Sequence, residues 1–119
     1  MLSWVAAYEQ AWRDRDTRAV SQLFTPDIEY RRSPYTEPVT GHAGVEEFWA
    51  DDDEDFTMTA EPVAVEDLAA VVRVVVRYGT PLRQEYTDLW VLRFAPDGRV
   101  ASFEEWAYWP GAAYTTQAD

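Results

Sequence analysis

The chain has 119 residues, 47% of them apolar, and its 22 acidic and 10 basic side chains give a formal net charge of −12 at pH 7. This size and composition predict one folded domain, and the charge argues against nucleic acid or an anionic membrane as a partner, because both attract clustered Lys and Arg. The chain has no Cys, which excludes disulfides and thiolate metal ligands, and it has no apolar run of membrane-spanning length, so we expect a cytoplasmic protein.

The first half of the chain is predicted to be mainly helical. Apolar residues recur at one-face helical spacing after Ser3, at Trp4, Val5, Tyr8, Ala11 and Trp12. A second, shorter helix is expected to begin at Asp16 and to end before a turn at Pro26 and Asp27. Its predicted buried residues are Ala19, Val20, Leu23 and Phe24. A third helix is expected after the loop at 33–44, with a buried corner formed by Val45, Phe48 and Trp49.

Strands are predicted before the third helix and throughout the second half of the chain. Ile28–Arg32 reads as a short strand that turns Arg31 and Arg32 to opposite sides. Alternating segments separated by turn residues then predict a strand meander at roughly 56–65, 69–78, 84–94 and 99–109. We therefore expect an α+β fold with helices on one face of a curved sheet. Residues 1–110 would form one domain, and 111–119 a flexible C-terminal tail.

Four fragments together resemble a known family: YEQAWRDRD, LFTPDIEYRRSP, VTGHAGVEEFW and DLWVLRFAPDGRVASFEEW. They are similar to the SnoaL-like, ketosteroid-isomerase-like branch of the NTF2-like superfamily. That group includes ketosteroid isomerases, polyketide cyclases, limonene-type epoxide hydrolases and scytalone dehydratase. The resemblance implies a cone in which a strongly curved, mostly antiparallel sheet wraps around N-terminal helices. It also implies a blind apolar pocket, often a homodimer, and no required cofactor.

The resemblance places three isomerase positions on this chain. The helix-one Tyr falls on Tyr8, the proton-shuttling Asp on Arg32, and the hydrogen-bonding Asp on Trp90. An Arg stays protonated and an indole has no acidic proton, so ketosteroid isomerase activity itself is not predicted. Arg32 would instead hold a positive charge at the pocket mouth, suited to a carboxylate or enolate oxygen. The alternative is a structural ion pair with Glu29, Glu37 or Glu85.

Asp88 is the strongest catalytic candidate. Alternation along β-rich residues 84–94 puts Tyr86, Asp88 and Trp90 on one side, which the resemblance turns toward the pocket. Desolvation there would raise the pKa of Asp88 into the range of a general acid or base. Glu105 is expected to face the same way and to complete a carboxylate pair. Alternatively, Asp88 is wet at the strand end or neutralised by an arginine.

Arg73 and Arg77 leave two arrangements open. One of them could lie between the two carboxylates, as in the acid, arginine, acid arrangement of limonene-type epoxide hydrolases. The favoured alternative is an ion-pair ladder on the outer face of the sheet, with the neighbouring valines buried. Those valines are Val72, Val74 and Val76.

The aromatic residues suggest a ligand that is flat and cyclic. Trp12 and Trp90 are expected to face each other and to stack on such a ligand. The other predicted ligand-binding residues are Tyr30, Trp49, Tyr86 and Phe103, although core filling is also expected of Trp4 and Trp49. His42 is expected to be neutral or to cap a helix, and the acidic run at 51–55 to be a solvated turn, so no metal site is predicted.

These observations favour an acid–base enzyme acting on a hydrophobic metabolite, with no cofactor. Asp88, Glu105, Tyr8 and Arg32 are the predicted catalytic residues. One alternative is a binding domain that holds a ligand without turnover, and another is a structural dimerisation module whose pocket is filled by its own rings. The Val-rich and aromatic outer face of the meander predicts a homodimer.

Overall fold

The structure, a computed structural model, describes residues 2–50, 56–79 and 81–110; for Trp49 and Ala50 it describes the backbone alone. The acidic run at 51–55 and the predicted tail at 111–119 therefore lie outside the described residues. In the described part, three helices pack on a six-stranded, curved and mostly antiparallel sheet. This architecture confirms the predicted α+β class.

The first helix, α1, spans Leu2–Asp14 and buries the predicted face at Trp4, Val5, Tyr8 and Ala11. The Asp16 side chain then accepts a hydrogen bond from the backbone N–H of Arg18, 3.2 Å away, and caps a 3-10 turn at Thr17–Ala19. The chain continues directly into α2, Val20–Leu23. The cap and the burial of Val20, Leu23 and Phe24 thus agree with the prediction, whereas Ala19 is only half-buried.

The prediction for the next segment was wrong. Phe24 begins β1, Phe24–Arg31, and Pro26 and Asp27 lie within this strand rather than in a turn. They sit where the pairing of β1 with its neighbour shifts register, between Phe24 and Glu29. A register shift tolerates Pro because a backbone N–H is not needed there, and Asp27 accepts a hydrogen bond of 2.9 Å from the Thr25 hydroxyl.

Two further elements complete the N-terminal half. A two-residue strand, β2 at Val39–Thr40, pairs antiparallel with β1 and was not predicted. Helix α3 spans His42–Ala50, and its Val45 is fully buried, while Phe48 packs at the edge of the core. None of the described helices combines the length and apolar character needed to cross a membrane.

The predicted meander is confirmed. Its strands are β3 Phe56–Glu66, β4 Ala69–Tyr78, β5 Gln84–Phe94 and β6 Val100–Tyr108. The described sheet has the order β2-β1-β6-β5-β4-β3, with β1 parallel to β6 and the other neighbours antiparallel. The pairing of β1 with β6 brings the N-terminal segment beside the last strand, which assembles the candidate site from distant parts of the chain.

The two faces of the meander differ in chemistry. Val72, Val74 and Val76 are buried beneath the helices. Arg73 forms an ion pair with Glu61, and Arg77 with Glu85 at 3.5 Å, on the opposite face. The outer-face ladder is therefore the correct interpretation, and neither arginine lies between Asp88 and Glu105.

Candidate functional site

Two strands bring a pair of carboxyl groups to the helix-covered face of the sheet. Trp90 on β5 is paired with Glu105 on β6, and Asp88 is paired with Ala107. Because side chains of paired residues point to the same face, Asp88, Trp90 and Glu105 share the inner face, with Asp88 diagonal to Glu105. The alternation read from the sequence predicted these directions correctly.

Asp88 is buried without full hydrogen bonding. The residue is only 3% exposed. The indole N–H of Trp90 donates to its Oδ2 over 3.4 Å, and its Oδ1 has no hydrogen-bond partner among the described residues. A buried polar atom without a partner is costly for the fold, which marks this oxygen as a position where a ligand could bind.

Burial raises the pKa of Asp88 from its usual 3.8 to about 9, and the adjacent Glu105 carboxyl adds to the rise, while the Trp90 N–H lowers it. The Glu105 carboxyl lies close to Asp88 but does not form a hydrogen bond with its Oδ1. Asp88 is thus protonated at neutral pH, and it can donate a proton.

Two tyrosine hydroxyls meet beside the carboxyl pair. The hydroxyl of Tyr8, on α1, lies 3.0 Å from that of Tyr30, on β1, and both residues are buried. Burial raises the pKa of Tyr30 well above its usual 10.0, and the nearby Tyr8 and Glu105 raise it further. Tyr30 therefore remains a neutral hydrogen-bonding group. Both tyrosines are among the predicted site residues, but the bond between them was not predicted.

The rings around these groups form one packed unit, which we call the inner aromatic cluster: Tyr8, Tyr30, Trp90 and Phe103. Tyr30 stacks on Phe103 with a centroid distance of 4.4 Å, and Tyr8 contacts Trp90 edge to face at 4.9 Å. Trp90 lies 5.1 Å from Phe103. The cluster supplies the low-dielectric surroundings that account for the raised pKa values.

Other aromatic residues surround the cluster. Trp12 is half-buried; it stacks on Phe56 at 4.1 Å and contacts Tyr8 edge to face at 6.0 Å. Because Tyr8 contacts both Trp12 and Trp90, it lies between the two indoles that were expected to face each other. Tyr86, also half-buried, contacts the Trp109 ring at 5.7 Å. Nothing is described of the Trp49 side chain, so its predicted role is untested.

Arg32 lies just beyond the end of β1 and is exposed. Its guanidinium carbon sits 4.9 Å from the centroid of the Phe48 ring, and that ring lies 5.7 Å from the Tyr30 ring. Arg32 forms no ion pair with a described residue, and Glu85, one of its proposed partners, pairs with Arg77. The structural ion pair therefore finds no support in the described part of the chain.

His42 has a structural contact. Its Nε2 donates to the backbone carbonyl of Phe24 over 2.9 Å, which ties the start of α3 to the start of β1. Among the described residues, no group of three or more His, Asp or Glu side chains is arranged to hold a metal ion. The described carboxyl and hydroxyl groups of the site can donate protons, accept protons and form hydrogen bonds.

Solved structures share this fold. A candidate ketosteroid isomerase from Kribbella flavida is 21% identical, with a TM-score of 0.72 over 96% of this chain and 80% of that one. The epoxide hydrolase/cyclase-like enzyme SalBIII, which is linked to pyran ring formation in salinomycin, is 18% identical, with a TM-score of 0.73 over 89% of this chain and 88% of that one.

A candidate polyketide cyclase from Sinorhizobium meliloti is 26% identical, with a TM-score of 0.63 over 87% of this chain and 93% of that one. No curated protein matches the chain. The sequence pattern of the SnoaL-like domain, however, matches residues 5–103, which include Tyr8, Tyr30, Asp88 and Trp90. The chain belongs to the SnoaL-like domain family.

Proposed function

We propose that the protein is an acid–base enzyme that acts on a hydrophobic, cyclic small molecule, in a reaction of the isomerase, cyclase, dehydratase or epoxide-hydrolase type. One observation carries the proposal: the Asp88 carboxyl is buried, has an oxygen without a hydrogen-bond partner, and lies diagonal to a second carboxyl, Glu105. Carboxyl pairs in unequal environments divide acid and base roles between them. The environments of the two groups are unequal here, because Asp88 is deeply buried and Glu105 is only half-buried.

The roles follow from the unequal burial of the two carboxyl groups. Neutral Asp88 would donate its proton to a ligand oxygen that gains negative charge, such as an epoxide, carbonyl or leaving hydroxyl oxygen. Glu105 would accept a proton from a ligand carbon or from water, so that one proton enters and one leaves the ligand. In the Tyr8–Tyr30 pair one hydroxyl donates to the other, and the remaining O–H would donate a hydrogen bond to the developing charge. These steps require no cofactor.

The test uses one probe for each reaction class: an epoxide, a β,γ-unsaturated ketone and a β-hydroxy ketone. We expect turnover of at least one probe, and a loss of roughly 100-fold or more in Asp88→Asn and in Glu105→Gln, as is usual for removal of a general acid or base. Glu104→Gln is the matched control, because Glu104 is the neighbour of Glu105 on the opposite face of β6 and hydrogen-bonds Trp106. Circular dichroism would confirm that each variant folds. Full turnover in Asp88→Asn would overturn the assignment.

The second candidate function is ligand binding without turnover. It is supported by the residues that stand at the isomerase positions, since Arg32 cannot act as a base and Trp90 has no acidic proton. In this case a ligand would raise the melting temperature of wild type and of Asp88→Asn alike, and no probe would be converted. A bell-shaped pH–rate profile with any probe would instead favour the enzyme.

A further inference from the structure

We propose that Arg32 is a specificity-determining residue that binds an anionic substituent, such as a carboxylate, at the edge of the site while the apolar body of the ligand lies against the inner aromatic cluster. This proposal rests on the proposed function, because the same site holds the rest of the ligand. It assigns to Arg32 the selection of the ligand and not a step of the reaction.

Arg32 lies next to the inner aromatic cluster. Tyr30 faces inward from β1, and Arg32 follows two residues later, just after the strand ends. The guanidinium lies over the Phe48 ring, and the Phe48 ring lies against Tyr30, so a chain of two ring contacts links Arg32 to the inner aromatic cluster. The positive charge of Arg32 is close enough to favour the ionised form of Tyr30 and so to oppose the rise in its pKa. Arg32 thus stands at the exposed edge of the site and acts electrostatically on it.

The guanidinium of Arg32 has N–H donors that are available to a ligand. A guanidinium has five N–H donors, and those of Arg32 form no hydrogen bond or ion pair with a described residue. Its neighbour Arg31 donates to the Thr36 carbonyl over 2.7 Å, and Arg73 and Arg77 pair with glutamates. In a chain with 22 acidic side chains, an arginine without an acidic partner is available to an external anion. The guanidinium carbon lies over the Phe48 ring and the side chain is exposed, so its N–H donors are accessible to an external anion.

The distribution of charge indicates where an anionic group of a ligand would lie. The described polar groups beside the inner aromatic cluster are two carboxyl groups, two tyrosine hydroxyls and the indole N–H of Trp90, and none of them carries a positive charge that could neutralise a buried ligand carboxylate. The chain as a whole carries a formal charge of −12 and repels anions at long range. An anionic group on a ligand is therefore expected to face outward, where Arg32 offers a local positive charge.

The experiment compares two probes that differ by one anionic group: 8-anilinonaphthalene-1-sulfonate and the uncharged N-phenyl-1-naphthylamine, both read by fluorescence. Wild type is expected to bind the sulfonate about tenfold more tightly, which equals about 1.4 kcal/mol. Arg32→Gln should remove this preference and leave the affinity for the uncharged probe unchanged. Arg32→Lys should keep part of it, because the charge remains but the fork of donors is lost.

Arg93→Gln is the matched control, because Arg93 is also an exposed arginine, but on β5 at a position that faces the outer side. It should leave both affinities unchanged. The proposal is overturned if wild type binds both probes equally, or if Arg93→Gln lowers sulfonate binding as much as Arg32→Gln does. In either of those cases the proposed function stands if the uncharged probe binds and Asp88-dependent turnover is found. If neither probe binds, both proposals fail.

Discussion

Asp88→Asn is expected to stabilise the folded protein at neutral pH while it removes activity. In the unfolded chain the carboxyl ionises near its usual pKa of 3.8, whereas burial in the fold raises the pKa to about 9. Below pH 3.8 the carboxyl is protonated in both states, so its ionisation does not change the free energy of unfolding. As the pH rises above this value, only the unfolded chain releases the proton, so stability falls until the pH reaches about 9.

The size of the stabilisation depends on the pH interval over which only the unfolded chain is ionised. Each pH unit between the two pKa values costs about 1.4 kcal/mol, so the cost at pH 7 has an upper bound of about 4 kcal/mol. The amide of Asn brings its own buried polar groups, whose desolvation costs about 1–3 kcal/mol. We therefore expect a net gain of about 1–3 kcal/mol in the free energy of unfolding at neutral pH.

Urea denaturation at a series of pH values from about 4 to about 9 measures this difference. The advantage of Asp88→Asn over wild type should grow as the pH rises, and it should vanish or reverse near pH 4. Glu104→Gln is again the control, and its stability should run parallel to that of wild type. A variant that is less stable than wild type at every pH, with a constant difference, would show that Asp88 is ionised in the fold and would refute the reasoning.

Two further predictions concern the tyrosine pair and the outer face. Tyr8→Phe and Tyr30→Phe each remove the 3.0 Å hydrogen bond between the hydroxyls, and each should lower stability by about 1 kcal/mol. A double-mutant cycle should show that the two losses are not additive, and additive losses would mean that the bond contributes nothing. The homodimer stays a prediction, and we expect its interface on the outer face, where Leu89 and Trp106 are exposed at paired positions of β5 and β6. Trp106→Glu would place a charge in such an interface and should give a monomer by light scattering, whereas a monomeric wild type would contradict the prediction.

The strands of the meander could be predicted closely, because successive side chains of a strand point to opposite faces of the sheet and leave a two-residue pattern in the sequence. The expected segment at 84–94 is the observed β5, and the inward direction of Asp88 followed from its position between Tyr86 and Trp90. The prediction failed from Phe24 to Asp27, because Pro and Asp are common in turns. A local sequence pattern does not reveal that this segment pairs with β6 and that the pairing contains a register shift. The two-residue strand β2 has too little length for any periodic pattern.

The sequence by itself therefore determined the fold class, the faces of the main elements and the residues available for chemistry, since these depend on periodicity and on the nature of each side chain. Only the tertiary structure decided which of those residues meet. The bond between Tyr8 and Tyr30 spans 22 positions, and the lack of a partner for the Asp88 oxygen depends on which described side chains the packing places around it. Long-range pairing also separated Arg73 and Arg77 from the carboxyl pair and left Arg32 on Phe48, because the partners of a charge are set by packing and not by its neighbours in the chain.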